Sequence, residues 1–366
     1  MLLVGGGTGG HISPLLAVVE ALRATEPEVG LLFIGGRRGR EGSLVPEAGI
    51  PFHAVPMRSL RDPDSRVALL LTLVGLPLAY LDALFRIARF RPSVALTSGG
   101  AIAIPIVLAA RTLRVPVYLW TGDALPGRAS RVLARFASRI GCTFAQAITH
   151  FPPRRATVSG TPIRASLLRW DRLAARSKMG ISGDALLVAV TGGSQGSERV
   201  NEAIFASLQR LLRAAHVLHV TGEAHFKQAQ ARERTLPEEL RSRYLPRAYL
   251  RDEMGAVLAA ADLVIGRAGS SSIAEPLAFG TPLVLIPFGA AMEGHQEANA
   301  RAAVESGAAV MIRESQLDAE RLTAEVVGLL NDHARLERMS DAARKAGRRD
   351  AAKDMAREVL TLGGCA

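Results

Sequence analysis

The sequence is poor in aromatic side chains and in cysteine, and each shortage narrows the possible functions. Only 5% of the 366 residues are Phe, Trp or Tyr, and proteins that bind single-stranded nucleic acid stack the bases on such side chains. We therefore expect no nucleic acid among the partners. Cys142 and Cys365 lie far apart with no metal-binding spacing. That pattern argues against a metal site or a disulfide framework and favours a reducing cytoplasm.

Long apolar runs are also scarce. The longest, "VALLLTLVGLPLAYL" at 67–81, is followed at once by Asp82 and Arg86. It is too short for a transmembrane helix, which needs about 20 apolar residues. The chain opens directly on a predicted strand, without a basic segment and a cleavage site, so we also expect no signal peptide.

Positive charge, by contrast, is in excess. The formal net charge is +11 and the sequence pI is about 10.6, with arginine far more common than lysine. Considered alone, this balance indicates an anionic partner, which can be nucleic acid, an acidic lipid surface or a phosphorylated substrate; the shortage of aromatic side chains argues against nucleic acid. A genome whose base composition favours arginine and alanine would produce part of the same excess.

Short apolar runs alternate with longer helical patterns along the whole chain, which predicts βαβ units and parallel sheets. The series starts again after "VSGTPIR", so we predict an α/β protein with two doubly wound, Rossmann-like domains. The first spans 1–160 and the second 161–340. A charged amphipathic helix at 341–366 is predicted to pack back on the first domain. Ligands bind outside the carboxyl ends of such strands, so we expect the two domains to face each other across a cleft.

The first glycine-rich loop, "GGGTGGHISP", follows the first predicted strand and leads into a predicted helix at 13–24. Gly5, Gly7 and Gly10 satisfy the dinucleotide fingerprint G-x-G-x-x-G. However, the second strand ends in "GGRRGREG", without the acidic residue that binds a ribose in such sites. NADP stays open, because arginines accept a 2′-phosphate. The extra glycines and the helix start favour a cradle for an anion or a sugar phosphate, although a tight turn without a ligand is the alternative.

Two more glycine loops occur in the second half. "TGGSQGS" at 191–197 offers the Ser194 hydroxyl between glycines, and "GRAGSSSIAE" at 266–275 places three serines at a helix start. Glu275 lies one turn further, where it can accept hydroxyl groups of a ribose. Alternatively, the serines cap the helix and Glu275 completes a capping box with Ser272. The loop "PFGAAMEGHQEANA" adds Gln296 and Asn299, which suit a hydroxyl-rich ligand.

Together these segments closely resemble the MurG glycosyltransferases, which transfer N-acetylglucosamine to lipid I in peptidoglycan synthesis. The resemblance runs nearly end to end and also includes "TSGG", "SGTPIR", "AADLVIG", "GTPLVLIPF" and "HQEANA". It implies a GT-B fold, with the nucleotide sugar bound mainly by the second domain and the acceptor by the first. It implies neither a cofactor nor a metal. Asp62 and Asp64 flank Pro63 in a proline turn away from the glycine loops, so we do not expect them to bind a metal.

The resemblance also implies the roles of individual residues. Those expected to bind UDP-N-acetylglucosamine are Thr8, Gly9, Gly10, Arg164, Ser194, Arg251, Gly269, Ser270, Ser271, Ser272, Glu275 and Gln296. Arg251 would act through its backbone, beside the uracil. Those expected to bind the acceptor, an undecaprenyl-linked muramyl-pentapeptide, are Gly6, Gly7, Gly99 and Gly100. His11 is the candidate general base for a direct, inverting displacement, or else it fixes its loop through a backbone hydrogen bond.

The chain departs from the family pattern at two places on the acceptor side. It reads "WTGDALPG" where the family usually has His-Glu-Gln-Asn before Pro-Gly, so Asp123 replaces an asparagine close to the transfer site. Asp123 is therefore a second candidate for the general base, or it accepts one hydrogen bond. Ala101 replaces an aromatic residue.

A lipid-linked acceptor requires contact with a membrane. Arginines flank the apolar stretch 67–81, namely Arg58, Arg61, Arg66, Arg86, Arg89 and Arg91, which suits a peripheral protein on an anionic bilayer at the cytoplasmic face. Packing of that stretch into the first domain is the alternative. The rival functions are a lipid galactosyltransferase, a UDP-N-acetylglucosamine 2-epimerase, an NADP oxidoreductase and a non-catalytic cell-wall scaffold.

Overall fold

The structure is a computed structural model of the chain. It describes residues 1–366 except 7–8, 37–40, 58–65, 194–195, 252, 290, 292–293 and 365–366, and it does not describe the side chains of 9 and 66–74. Two compact units are present. Unit 1 comprises Met1–Ala165 with Arg349–Ala366, and unit 2 comprises Ser166–Arg348. The sequence placed the corresponding boundaries at 160 and 340.

Unit 1 contains a sheet of seven parallel strands in the order β3-β2-β1-β4-β5-β6-β7. Its strands are β1 (Leu2–Val4), β2 (Leu32–Gly35), β3 (Phe52–Ala54), β4 (Ala95–Thr97), β5 (Val117–Thr121), β6 (Arg139–Cys142) and β7 (Ala156–Val158). Its helices are α1 (Gly9–Thr25), α2 (Glu41–Glu47), α3 (Arg66–Phe90), α4 (Ala103–Thr112), α5 (Arg128–Leu133) and a short 3-10 helix (Ala145–His150). Buried apolar side chains point to both faces of the central strands, as expected for a parallel sheet that helices cover on both sides.

Unit 2 repeats this plan with six parallel strands in the order β10-β9-β8-β11-β12-β13. These are β8 (Leu187–Thr191), β9 (His216–Val220), β10 (Tyr244–Arg247), β11 (Leu263–Gly266), β12 (Leu283–Leu285) and β13 (Ala309–Met311). The helices are α6 (Ala165–Leu168), α7 (Arg172–Met179), α8 (Glu198–Ala214), α9 (Glu223–Arg234), α10 (Glu238–Arg241), α11 (Glu253–Ala260), α12 (Ser270–Phe279), α13 (His295–Glu305), α14 (Ala319–Asn331) and α15 (His333–Ala346), with a 3-10 helix at Glu314–Gln316.

The strand order places one ligand-binding position in each unit. In unit 1 the order reverses between β1 and β4, which pair in parallel with Val4 opposite Thr97. In unit 2 it reverses between β8 and β11, where Thr191 lies opposite Gly266. Doubly wound sheets bind ligands outside the carboxyl ends of their strands at such a switch point. The glycine-rich loops begin at these strand ends.

The last helix, α16 (Ala351–Leu362), belongs to unit 1. Its buried residues Met355, Ala356 and Val359 join the apolar cluster of α1 on one face of the unit-1 sheet. The Tyr118 hydroxyl on β5 donates a hydrogen bond to Glu358 (2.8 Å). Burial and the Glu358 charge hold the pKa of Tyr118 well above its usual range, so this phenol stays protonated and remains a donor.

We expect Met355→Ala to destabilise unit 1, because Met355 is 1% exposed and its removal leaves a cavity under α16. Core substitutions of this kind cost about 2–5 kcal/mol. Lys353→Ala on the exposed side of the same helix is the matched control. Chemical denaturation measures both variants. Equal stabilities for the two would show that α16 contributes little to the core.

None of the helices within the described parts of the chain combines the length and the hydropathy of a membrane-spanning segment. The apolar stretch 67–81 forms the first part of α3.

Candidate active site

Three neighbouring strands of unit 1 end in the loops that the sequence assigns to the acceptor. β1 is followed by Gly5 and Gly6, β4 by residues 98–100, and β5 by Gly122 and Asp123. Gly99 has a φ of +85°, and a Cβ there would stand 2.8 Å from the Ser130 hydroxyl. Both features favour glycine at residue 99.

His11, in the first turn of α1, contacts the loop after β4. Its ring nitrogen Nδ1 lies 3.2 Å from the carbonyl oxygen of Ser98. A carbonyl oxygen only accepts, so Nδ1 carries the hydrogen and a neutral ring has its lone pair on Nε2. This arrangement is the one in which a histidine acts as a base through Nε2. The sequence left two roles open for His11, a hydrogen bond to the backbone and general base catalysis. One residue can have both, because Nδ1 makes the backbone hydrogen bond and Nε2 is the basic nitrogen.

The other predicted residues of unit 1 are located as follows. Asp123 is half-buried at the carboxyl end of β5 and takes part in interactions. Gly9 and Gly10 form the first residues of α1, where we predicted a loop before a helix at 13–24. Arg164 is half-buried and belongs to unit 1, although the predicted boundary put it in the second domain. Gly7 and Thr8, and with them Asp62 and Asp64, lie outside the described residues.

Sequence reasoning missed Glu41, the first residue of α2. Its side chain is buried, and its Oε1 accepts a hydrogen bond from the Gly36 N–H (3.2 Å). A Cβ at Gly6 would lie 2.9 Å from the same oxygen. Glu41 therefore helps to set the shape of the first glycine loop. Its position within "GGRRGREG" resembles a solvated charged turn, so the sequence carried no sign of this burial.

Unit 2 brings its glycine loops to three adjacent strand ends, after β8, β11 and β12. Ser194 in the loop after β8 lies outside the described residues. Arg251 follows β10 in an exposed bend, and its carbonyl accepts a hydrogen bond from the Met254 N–H (3.2 Å).

The loop after β11 leads into α12 without a side-chain cap. Gly269 is the N-cap residue and makes no capping hydrogen bond, and Ser270, Ser271 and Ser272 form the first turn of the helix. The alternative in which Ser272 caps the helix and pairs with Glu275 in a capping box is therefore wrong, because the helix begins before Ser272. The N–H groups of a first turn have no partner within the helix. They are suited to bind an anion.

Gln296 and Asn299 of α13 hold this loop in place. Gln296 Oε1 accepts hydrogen bonds from the backbone N–H groups of Ala268 (3.2 Å) and Phe288 (3.0 Å). The buried Asn299 donates its side-chain N–H to the Ala268 carbonyl (3.1 Å). The side chain of Gln296 thus ties the loop after β11 to the loop after β12. Its carbonyl oxygen is engaged in this way, which leaves the amide N–H₂ as the group that can donate to a ligand.

Arg267 and Glu314 reinforce the same loops, and neither was predicted. Their side chains form an ion pair of 2.5 Å, and the other Glu314 oxygen accepts from the Gly289 N–H (2.8 Å). Arg267 also donates to the Ile286 carbonyl (3.3 Å) and stacks over the Phe288 ring at 5.1 Å. Partial burial opposes ionisation of Glu314, but the hydrogen bonds from Arg267 and Gly289 prevail and lower its pKa. The carboxylate is therefore charged near neutral pH.

Models of known families match most of the chain. Residues 1–142 match the glycosyltransferase family 28 N-terminal domain, and residues 187–355 match the glycosyltransferase family 28 C-terminal domain. The crystal structure of Acinetobacter baumannii MurG has a TM-score of 0.79 at 23% identity, over 98% of this chain and 99% of that one. This likeness shows the fold, and the two parallel sheets are those of a GT-B protein.

Relatives at higher identity decide the family. A UDP-N-acetylglucosamine--N-acetylmuramyl-(pentapeptide) pyrophosphoryl-undecaprenol N-acetylglucosamine transferase from Desulforudis audaxviator is 38% identical over 95% of this chain and 94% of its own length. A protein of the same name from Moorella thermoacetica is 37% identical over 98% of each chain. The chain belongs to the MurG family. As a MurG-family protein it is a glycosyltransferase. This argues against the hypothesis that the first glycine loop belongs to an NADP oxidoreductase.

Proposed function

We propose that the protein transfers N-acetylglucosamine from UDP-N-acetylglucosamine to the muramyl sugar of undecaprenyl-pyrophosphate-linked lipid I, which gives lipid II for peptidoglycan synthesis. One observation carries the proposal beyond family membership. The first turn of α12 is uncapped, and the loop before it is fixed by Gln296 and Asn299. Such a preorganised helix start suits the diphosphate of a nucleotide sugar.

The donor is assigned to the loops of unit 2. Amide groups of Ser270–Ser272 would bind the diphosphate, and the Glu275 carboxylate would accept hydrogen bonds from the ribose hydroxyls. The Gln296 amide would donate to the sugar. The resemblance to the MurG family adds Thr8, Gly9, Gly10, Arg164, Ser194 and the backbone of Arg251 to the donor contacts.

The acceptor is assigned to the loops of unit 1. Backbone groups of Gly6, Gly7, Gly99 and Gly100 would bind its diphosphate. In the reaction, the acceptor hydroxyl oxygen forms a bond to the anomeric carbon while the bond from that carbon to UDP breaks. The hydroxyl proton passes to His11 Nε2, and UDP leaves as an anion. One displacement of this kind inverts the anomeric centre and needs a single base. Positive charge for the leaving diphosphate comes from the α12 amides and Arg164, and we propose no metal for this step.

A transfer assay tests this function. The purified protein is incubated with radiolabelled UDP-N-acetylglucosamine and a short-chain lipid I analogue, with and without a chelator. We expect a disaccharide product whose amount the chelator does not change. UDP-galactose as the donor and a reaction without acceptor are the matched controls. Preference for UDP-galactose would indicate a lipid galactosyltransferase, and turnover without acceptor would indicate an epimerase. No turnover of either donor would favour a cell-wall scaffold.

We further propose that one helical layer of unit 1 binds the anionic cytoplasmic face of the membrane. Helices α3, α4 and α5 pack on the same face of the sheet. In the described part of the chain, nine large apolar side chains are exposed, and five of them belong to this layer or its ends: Leu78, Leu81, Phe85, Leu113 and Val132.

The charge of this layer matches an anionic partner. The three helices contain a single acid, Asp82, and six arginines: Arg66, Arg86, Arg89, Arg111, Arg128 and Arg131. Apolar side chains that enter the headgroup region and surrounding cations that bind acidic lipids act together in peripheral proteins.

We expect the double substitution Leu81→Ser and Phe85→Ser to weaken binding to vesicles that contain phosphatidylglycerol by about tenfold or more, because both side chains are over half exposed and lose apolar contact with lipid. Co-sedimentation measures the effect. Leu173→Ser, at an 82% exposed leucine of unit 2, is the matched control. Raising the salt concentration should weaken wild-type binding. Equal binding to neutral and anionic vesicles at low salt would refute the membrane proposal.

A further inference from the structure

A buried chain of hydrogen bonds crosses unit 2 beneath the loop after β8. His219 on β9 is 0% exposed and lies between Tyr244 on β10 and Asn201 on α8. Its Nδ1 is 3.0 Å from the Tyr244 hydroxyl, and its Nε2 is 3.0 Å from Asn201 Oδ1. Asn201, 1% exposed, in turn donates its side-chain N–H to the Thr221 carbonyl (2.9 Å). None of these side chains has a role in the proposed reaction.

The direction of each hydrogen bond follows from the last one. Because Asn201 donates to Thr221 through Nδ2, its Oδ1 is left to accept from His219, so Nε2 carries the hydrogen of the ring. The other ring nitrogen then accepts from the Tyr244 hydroxyl. Burial, with a smaller contribution from His225, lowers the pKa of His219 to about 3. The ring is therefore neutral near neutral pH. The side chains of Tyr244, His219 and Asn201 each have a hydrogen-bond partner in this series.

The series of hydrogen bonds ends at the Thr221 carbonyl, which lies directly beside Gly196 in the loop after β8. Gly196 has a φ of +77°, and a side chain there would collide with the Thr221 carbonyl. The Gly196 N–H donates to the Gly193 carbonyl (3.0 Å), which closes the turn. Asn201 also contacts the end of the turn, since its backbone N–H donates to the Ser197 carbonyl (2.8 Å). Gly196 thus lies against Thr221, Ser197 bonds to Asn201, and the Asn201 side chain links the Thr221 carbonyl to His219.

We propose that His219 is a positioning residue of the donor site, which acts through Asn201 and the Thr221 carbonyl to hold Gly193, Gly196 and Ser197 of the loop after β8 in the positions that donor binding requires. The inference rests on the proposed function, because that function assigns Ser194 of this loop to the UDP-N-acetylglucosamine site. The proposal predicts that variants of His219 have a higher KM for the donor. A purely structural role predicts only a lower free energy of unfolding.

Steady-state kinetics of four variants test the proposal. His219→Phe keeps a ring but cannot donate to Asn201, and Asn201→Ala removes the link to Thr221. We expect each to raise the KM for UDP-N-acetylglucosamine about tenfold, which corresponds to about one lost hydrogen bond, with the acceptor KM within twofold of wild type. His219→Gln, whose amide can donate to Asn201, should restore the donor KM to within about threefold. Leu211→Ala removes a buried side chain of α8 outside the hydrogen-bond chain and is the matched control for stability.

The outcomes separate the two roles. A donor KM that rises in His219→Phe and Asn201→Ala, recovers in His219→Gln and is unchanged in Leu211→Ala supports positioning. A wild-type donor KM in folded His219→Phe and Asn201→Ala overturns it, as does an equal rise in Leu211→Ala. Should His219→Phe not fold, Asn201→Ala and His219→Gln still decide the question.

Hydrogen exchange makes the test independent of the substrate. The Gly196 amide should exchange at least about tenfold faster in Asn201→Ala than in wild type or in Leu211→Ala, because the turn loses its support. Unchanged exchange would overturn the positioning role. Absence of UDP binding by the wild-type protein would instead refute the proposed function, and the exchange result would still decide whether His219 and Asn201 hold the turn.

Discussion

Replacing His11 with alanine should lower kcat for transfer to a lipid I analogue by about 10²- to 10⁴-fold, the usual contribution of a general base. The Ser98 carbonyl, 3.2 Å from Nδ1, orients the ring so that Nε2 receives the proton. The affinity for UDP, measured by isothermal titration, should stay within about twofold of wild type, since the donor loops of unit 2 are unchanged. Single-turnover kinetics with saturating substrates isolate the chemical step.

Asp123→Asn is the matched variant, because it restores the residue type that the MurG family usually has and removes the rival carboxylate. With His11 as the base, this variant should keep kcat within about tenfold of wild type. Loss of transfer in Asp123→Asn together with near-normal transfer in His11→Ala would assign the base to Asp123 instead.

The second large effect concerns the donor. Gln296→Ala leaves the N–H groups of Ala268 and Phe288 without their shared acceptor, and an unpaired donor costs about 1–3 kcal/mol. We expect the Kd for UDP-N-acetylglucosamine to rise by about 10- to 100-fold, because the loop that precedes α12 loses its fixed shape. Isothermal titration gives the Kd directly.

Glu297→Gln provides the control for this substitution. Glu297 is the next residue of α13, and its carboxylate pairs with Arg301 and Arg313 near the surface. The surface pairs contribute little, so the control should bind the donor as the wild type does. Equal weakening in both variants would mean that the helix as a whole, rather than the Gln296 side chain, supports the donor loop.

Most of the fold could be predicted from the sequence, because parallel strands that are buried on both faces appear as short apolar runs between helices. The prediction of a late start for α1 was wrong for a physical reason. Pro14 suits a helix start, and the glycines before it have low helix propensity, so the pattern placed the beginning at 13 while the helix starts at Gly9. The serines after Gly269 gave a similar error. Serine is a common N-cap residue, so the sequence allowed Ser272 as the cap, whereas the N-cap of α12 is Gly269.

The contacts that shape the loops could not be predicted, since they join residues far apart in the sequence. His11 and Ser98 are separated by 87 positions, and Arg267 and Glu314 by 47. His219 lies in "HVLHVTG", a pattern typical of a buried strand, and only the fold places it between Asn201 and Tyr244. Roles of individual donor and acceptor residues stay predictions, and Thr8, Gly7 and Ser194 lie outside the described residues.

A crystal structure of the protein with UDP-N-acetylglucosamine tests the central claim most directly. We predict that the diphosphate lies within about 3 Å of backbone N–H groups in the first turn of α12, with the ribose hydroxyls at Glu275. A nucleotide bound at another strand end, with the first turn of α12 facing solvent, would contradict the account.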